Sequence, residues 1–240
     1  TGYYGWLPKQ GTLIPLPDGS KLPTDFNEGE ASNYMARKQR MIGYSFEHAF
    51  NDTWAVRQNL RYMQVDTDMK SIYGFGLSSP TTINRAYVQS KEHLNNFAVD
   101  TQAQAKVKTG DIDHTLLFGV DYSRMRNDIN SDYGSTDGLS MTRPQYGNDV
   151  VNINFPYKYL NRQEQTGLYV QEQGEWNQWR LTLGGRYDWA KTSANNRVLG
   201  YTNERSDGQF TWRGGLNYLF DNGVTPYFSY SESFEPTLDT

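Results

Sequence analysis

The side chains in this sequence best suited to chemistry are rings. The stretch "TGYYGWLPKQG" sets Tyr3, Tyr4 and Trp6 among Gly2, Gly5, Pro8 and Gly11, a composition that reads as loop. Large rings on a loop serve as anchors at a membrane surface or as a platform for a ligand. Further on, Tyr73 and Phe75 stand two residues apart in "SIYGFG", and Tyr133 follows in "INSDYG". Rings at i and i+2 share one face of a strand, where they line a pocket or pack on a neighbour. Other constellations lead nowhere. His48, His93 and His114 share no ligand spacing and there is no cysteine, so the chain carries neither a zinc signature nor thiol chemistry. No Gly-x-Ser-x-Gly elbow presents a nucleophile. Asp25, Glu28 and Glu30 form an acidic run expected to be solvated surface.

The elements that must position these rings are strands. Phe97, Val99, Thr101, Ala103, Ala105 and Val107 fall on one parity, and Asp100, Gln102, Gln104 and Lys106 on the other. This is a period of two over more than ten residues. The same alternation sets Trp54, Val56, Leu60 and Tyr62 against Arg57, Asn59 and Arg61. It sets Leu181, Leu183, Tyr187 and Trp189 against Arg180, Arg186 and Asp188. Eight segments emerge, at 34–50, 53–70, 90–108, 111–128, 162–176, 179–194, 207–220 and 225–234. Short connections such as Asn51-Asp52, Thr109-Gly110 and Asn177-Gln178 alternate with long ones at 71–89, 129–161 and 195–206. Most segments exceed the ~9–11 residues that cross a bilayer as tilted strand.

Composition supports this reading. Aromatics make up 15% of 240 residues, yet mean hydropathy is −0.79. A strand with one face in lipid and one in a wet lumen reconciles the two, since only every second residue is apolar. Aromatics gather near segment ends, at Phe46, Trp54, Trp176, Trp179, Tyr218, Phe220 and Tyr227, where membrane girdles belong. Under this registration Arg57, Arg61, Asp100, Asp121, Arg186, Asp188 and Arg213 point inward. A net charge of −4 and scattered cations argue against a nucleic-acid partner. No stretch approaches the ~18 apolar residues of a membrane helix. The expected fold class is all-β: an antiparallel up-and-down transmembrane β-barrel segment of about eight long strands, with short periplasmic turns and long extracellular loops.

Particular strings go further than periodicity. "TGYYGWLPKQGT", "GYSFEHAFNDTWAVRQNLRY", "HTLLFGVDYSRMRNDIN", "LNRQEQTGLYVQEQ", "LTLGGRYDWA" and "FTWRGGLNYLFDNGVTPYFSYSESFEP" run in order along nearly the whole chain. They resemble the TonB-dependent outer-membrane siderophore receptors, ferrichrome/ferrioxamine (hydroxamate) branch. The resemblance implies that residues 1–240 are a partial β-barrel domain, with the plug domain and remaining strands absent. It implies a bacterial outer-membrane receptor, not an enzyme, that binds ferric hydroxamate siderophores and imports them in a TonB-dependent way. The rival reading is a passive, porin-like or structural barrel. Ferric iron would arrive ligated by the siderophore, so no metal site or cofactor of the protein's own is expected. Implied partners are the siderophore, outer-membrane lipid and the TonB complex through the missing N-terminal region, together with phages or bacteriocins that borrow such loops. Matched motif by motif, the siderophore-binding candidates are Tyr4 and Trp6 of "YYGW", Tyr73 and Phe75 of "SIYGFG", and Tyr133 of "INSDYG". Rings suit an organic shell, burying apolar area while a hydroxyl or indole N–H meets its carbonyls.

Overall fold

The computed structural model describes residues 8–147 and 151–237. Eight strands follow one another in chain order: β1 (Tyr34–Ala49), β2 (Trp54–Ser79), β3 (Thr82–Thr109), β4 (Ile112–Ser140), β5 (Val151–Trp176), β6 (Trp179–Asn196), β7 (Tyr201–Tyr218) and β8 (Tyr227–Ser231). They form one antiparallel sheet in which each strand pairs only with its neighbours in sequence. β1 and β8 are its two edges and do not pair with each other, so the described residues make an open arc rather than a closed cylinder.

The lower turns are short for local reasons. The Asn51 side chain accepts hydrogen bonds from the backbone N–H groups of Thr53 and Trp54, at 2.9 and 2.8 Å, which bends the chain between β1 and β2 as an Asx-turn. Asn177, with φ at +49°, supplies the left-handed residue of the β5–β6 turn, a conformation asparagine tolerates better than most.

The sheet has two chemically distinct faces. Cross-strand partners on one are Tyr62 and Phe97, Leu60 and Val99, Ala103 and Phe118, Phe118 and Val170, and Leu181 and Leu216. Leu181 and Leu183 are among its exposed side chains, and among the described residues no second sheet covers this face, so it is the lipid-facing band of a membrane strand array. The other face carries a polar network that reaches over intervening strands. Arg186 of β6 crosses β5 to pair with Asp121 of β4, and its Nε donates to Asp188 at 2.7 Å. Gln165 donates to the same Asp188 at 2.9 Å. Tyr169 of β5 crosses β4 and donates to Asp100 of β3 at 2.7 Å. Arg213 donates to Gln171, and Arg57 pairs with Glu47 at 3.0 Å. The inward charges expected from parity therefore share one wall and largely satisfy one another.

The upper connections differ from expectation. Residues 71–89 are the ends of β2 and β3, joined by a two-residue turn at 80–81. Among the described residues of 129–161 only 141–147 lie outside strand, and of 195–206 only 197–200. The long extracellular parts are chiefly tall hairpins. Above the bilayer both faces of a strand meet water or protein, so alternation disappears from the sequence while the hydrogen-bonded ladder continues. Segment 8–33 packs against these hairpins. Leu16 and Phe26 join Ile83, Leu139 and Met141 in a small buried core, with Leu22 against it. Glu28 and Glu30, expected to be solvated, are buried here at 3% and 4% exposure.

Arg186 reaches Asp121 only because Gly167 lies beneath it. A Cβ at Gly167 would sit 2.0 Å from an Arg186 nitrogen. Gly167→Leu is expected to displace the guanidinium and strand the buried Asp188 carboxylate, lowering stability by about 1–3 kcal/mol. A lowered urea midpoint at unchanged m-value checks it.

A candidate ligand wall

High on the inner face, five rings meet. Tyr133 of β4 shares the parity of Asp121, and Phe155, Tyr157 and Tyr159 of β5 share that of Tyr169, so all four continue the inner wall upward. Tyr133 stacks on Phe155 with centroids 5.2 Å apart and planes 13° from parallel. It meets Tyr157 edge-on at 6.2 Å, and Tyr157 stacks on Tyr159 at 4.4 Å. The Tyr159 hydroxyl accepts from Asn196 Nδ2 at 2.7 Å and lies 3.4 Å from the Tyr201 hydroxyl. That contact, followed by burial, raises the Tyr159 phenol above its usual range, so it stays protonated. Phe155 keeps 55% of its surface exposed while Tyr159 keeps 6%. The ladder thus has a fixed base and an open top.

Tyr73 shares the inner parity of β2 with Arg57 and Arg61. It pairs with Ala86, and Ala86 pairs with Ser135. Tyr133 pairs with Val88 on the same middle strand. Two strand spacings and two residues of rise put the Tyr73 and Tyr133 backbones about 12 Å apart. Small residues, Ala86 and Ser135, lie between them. Phe75 behaves differently from a simple i+2 partner. The register steps from Gly74 opposite Arg85 to Gly76 opposite Asn84, so Phe75 is the extra residue of a β-bulge, which re-aims its side chain. It is 55% exposed.

The structure therefore brings Tyr73 and Tyr133 to the upper part of one wall and sets Phe75 in the bulge beside Tyr73. Tyr4 and Trp6 lie outside the described residues. Sequence reasoning did not find Phe155, Tyr157, Tyr159 and Tyr201. The signal for the first three was present as a period-two run of rings in "FPYKY", hidden by the assignment of 129–161 to loop. The histidines have separate structural partners: His93 with Asp66 at 2.5 Å, His114 with Glu172 at 2.7 Å, and His48 between Phe46 and Phe50. The wall can bind an organic surface through ring faces and a few hydroxyls. Tyr159→Phe keeps the stacking and removes the hydroxyl. It is expected to cost about 0.5–1.5 kcal/mol, read as a lower thermal unfolding midpoint, with the fold retained.

Comparison with known proteins gives this architecture its kin. The whole chain, residues 1–240, matches the family described as TonB dependent receptor-like, beta-barrel. It is 53% identical to the ferrichrome outer membrane transporter/phage receptor of Escherichia coli strain K12, over 99% of this chain and 35% of that protein. It is 38% identical to the ferrioxamine B receptor of Salmonella typhimurium strain SL1344, over 98% of this chain and 34% of that one. The chain thus spans about a third of the length of the curated relatives it matches. Among solved structures, the siderophore receptor PiuA from Acinetobacter baumannii superposes with a TM-score of 0.78 at 16% identity, covering 89% of this chain and 34% of that chain. That likeness speaks to the fold. An eight-stranded neighbour-paired sheet with a lipid face and a polar inner face, matched along its entire length, belongs to the TonB-dependent receptor β-barrels of the bacterial outer membrane.

Proposed function

We propose that this chain is part of an outer-membrane receptor that binds ferric hydroxamate siderophores and imports them by a TonB-dependent route, acting by binding and gating rather than catalysis. The observation that carries the reading is the inward aromatic wall of Tyr133, Phe155 and Tyr157 facing Tyr73 across small residues. The names of the ferrichrome and ferrioxamine relatives support it. A hydroxamate siderophore encloses Fe3+ in its own oxygens, so the metal is cargo and the receptor meets a mid-sized, nearly neutral shell. Ring faces bury the apolar part of that shell, and phenol and indole donors pair with its carbonyls, which keeps polar atoms satisfied as water leaves.

In this reading Tyr4 and Trp6 join Tyr73, Phe75 and Tyr133 as ligand contacts, the remaining strands close the barrel, and a plug completes the floor of the vestibule. Import then needs the TonB complex, engaged through parts of the receptor beyond this segment. The matched Escherichia coli protein is also named a phage receptor, and capture of the same tall hairpins by a phage or bacteriocin belongs to this proposal. A passive pore would gain nothing from a ladder of half-exposed rings on its inner wall.

The test is a tryptophan-fluorescence titration of the complete receptor with ferrichrome and with ferrioxamine B. Trp6→Ala and Tyr133→Ala are each expected to weaken the preferred ligand by about 1–3 kcal/mol, the range for a ring at the centre of a contact. Tyr187→Ala, on the lipid face, serves as a control that leaves affinity unchanged. Equal affinity in all three variants returns the rings to a structural role. Uptake of radiolabelled ferric siderophore by cells is expected to require both the complete barrel and an energised inner membrane, and uptake supported by residues 1–240 alone contradicts the proposal.

A further inference from the structure

Directly behind the Phe75 bulge lies a buried ion pair that the ligand wall does not use. Glu30 Oε1 and Arg85 Nη1 are 2.6 Å apart, with each side chain 1% exposed. Arg85 Nε donates to the carbonyl of Asp137 at 2.8 Å, and Glu30 Oε2 accepts from the N–H of Gly147 at 2.8 Å. One carboxylate and one guanidinium therefore join four parts of the chain: segment 8–33, the β2–β3 hairpin, the end of β4 and the loop after it. Asn33 adds a second tie. Its amide donates to the carbonyl of Ile72 and accepts from the Ile72 N–H, both at 2.8 Å. It takes the place of a ladder residue just beyond the Tyr34–Lys70 rung that ends the β1–β2 pairing. Tyr146 adds a third, donating to the carbonyl of Asn27 at 2.9 Å.

The position of this junction gives it a role. Arg85 is the strand partner of Gly74, and Gly74 is the residue between Tyr73 and Phe75. A Cβ on Gly74 would lie 2.5 Å from Glu28 Oε2 and 2.7 Å from the Ile83 side chain. Segment 28–30 therefore presses against the back of β2 at the one residue whose neighbours are candidate ligand contacts. Burying two charges is costly unless both are paired and further hydrogen-bonded. That condition is met here only while all four chain parts are in place, so the junction is held all at once or not at all.

We infer that Glu30 and Arg85 are positioning residues. Their pair clamps segment 8–33 onto the outer side of the β2–β3 hairpin, and so fixes the bulge that aims Phe75 at the ligand. The inference rests on the binding role proposed above for Phe75. Tyr133, on another strand and held by its own ring ladder, does not depend on the clamp.

A double-mutant cycle on the complete receptor, read by fluorescence titration with ferrichrome and ferrioxamine B, tests this. Arg85→Met is expected to weaken the preferred ligand about tenfold, a coupling typical of residues that share a contact. In a Phe75→Ala background the same change is expected to have almost no further effect, whereas in a Tyr133→Ala background it costs the full factor again. Glu30→Gln, which keeps the shape and one acceptor, is expected to show the same pattern more weakly, and it covers the case in which Arg85→Met fails to fold. A loss that is equally additive with Phe75→Ala and Tyr133→Ala, or no loss in a folded Arg85→Met protein, overturns the clamp. If Phe75→Ala alone binds like the parent while Tyr133→Ala does not, the clamp is overturned and the binding wall stands. If neither single alanine variant loses affinity, the binding wall falls and the clamp with it.

Discussion

Hydrocarbon offers no hydrogen bonds, and that single fact shapes this chain. Each backbone N–H and C=O that enters the bilayer must find its partner within the protein. Antiparallel strands joined by tight turns do this with the least chain, and each of the eight strands here finds its partners on the strands next to it in sequence. Once the backbone is satisfied, the side chains on alternating sides face two solvents. Rings and aliphatics take the outer side, and the carboxylates and guanidinium groups take the inner one. The polar wall costs little because its members satisfy one another: Arg186 meets two carboxylates, and Asp188 also accepts from Gln165.

Above the membrane the same ladders continue under a weaker rule. Water can now satisfy a strand, so its faces are free to serve other ends. On the inner side the wall fills with rings. On the other side segment 8–33 brings apolar residues and two buried carboxylates against the hairpins. The ring-bearing wall is therefore supported from behind by packed protein. Below, the outer face of the same strands is left bare for lipid.

This division explains what could be read from the residues alone. Where two solvents act, at 54–62, 97–107, 116–122 and 179–189, alternation marked the strands and their inward charges correctly. Where they stop acting, at 71–89 and 129–161, polar residues occupy both parities and the strands looked like loop. Tyr73 was singled out by motif, and the structure sets it on the inner parity of β2. The bulge at Phe75 could not be foreseen, because Gly74 and Gly76 fit a turn equally well. Glu30 looked solvated because its partner Arg85 is 55 positions away, and no local pattern announces an ion pair of that span. The rings of "FPYKY" were legible in principle as a period-two run, but the whole of 129–161 looked like a long connection.

The crossing of Arg186 over Gly167 has one more effect. In a sheet built only from sequential neighbours, each strand can slide against the next by two residues and still keep its faces sorted. Sliding β5 in either direction would bring Gln165 or Tyr169 under the guanidinium, where only a hydrogen fits. The glycine is thus a keyway: a single missing side chain that lets three strands mesh in one alignment and jams the alternatives.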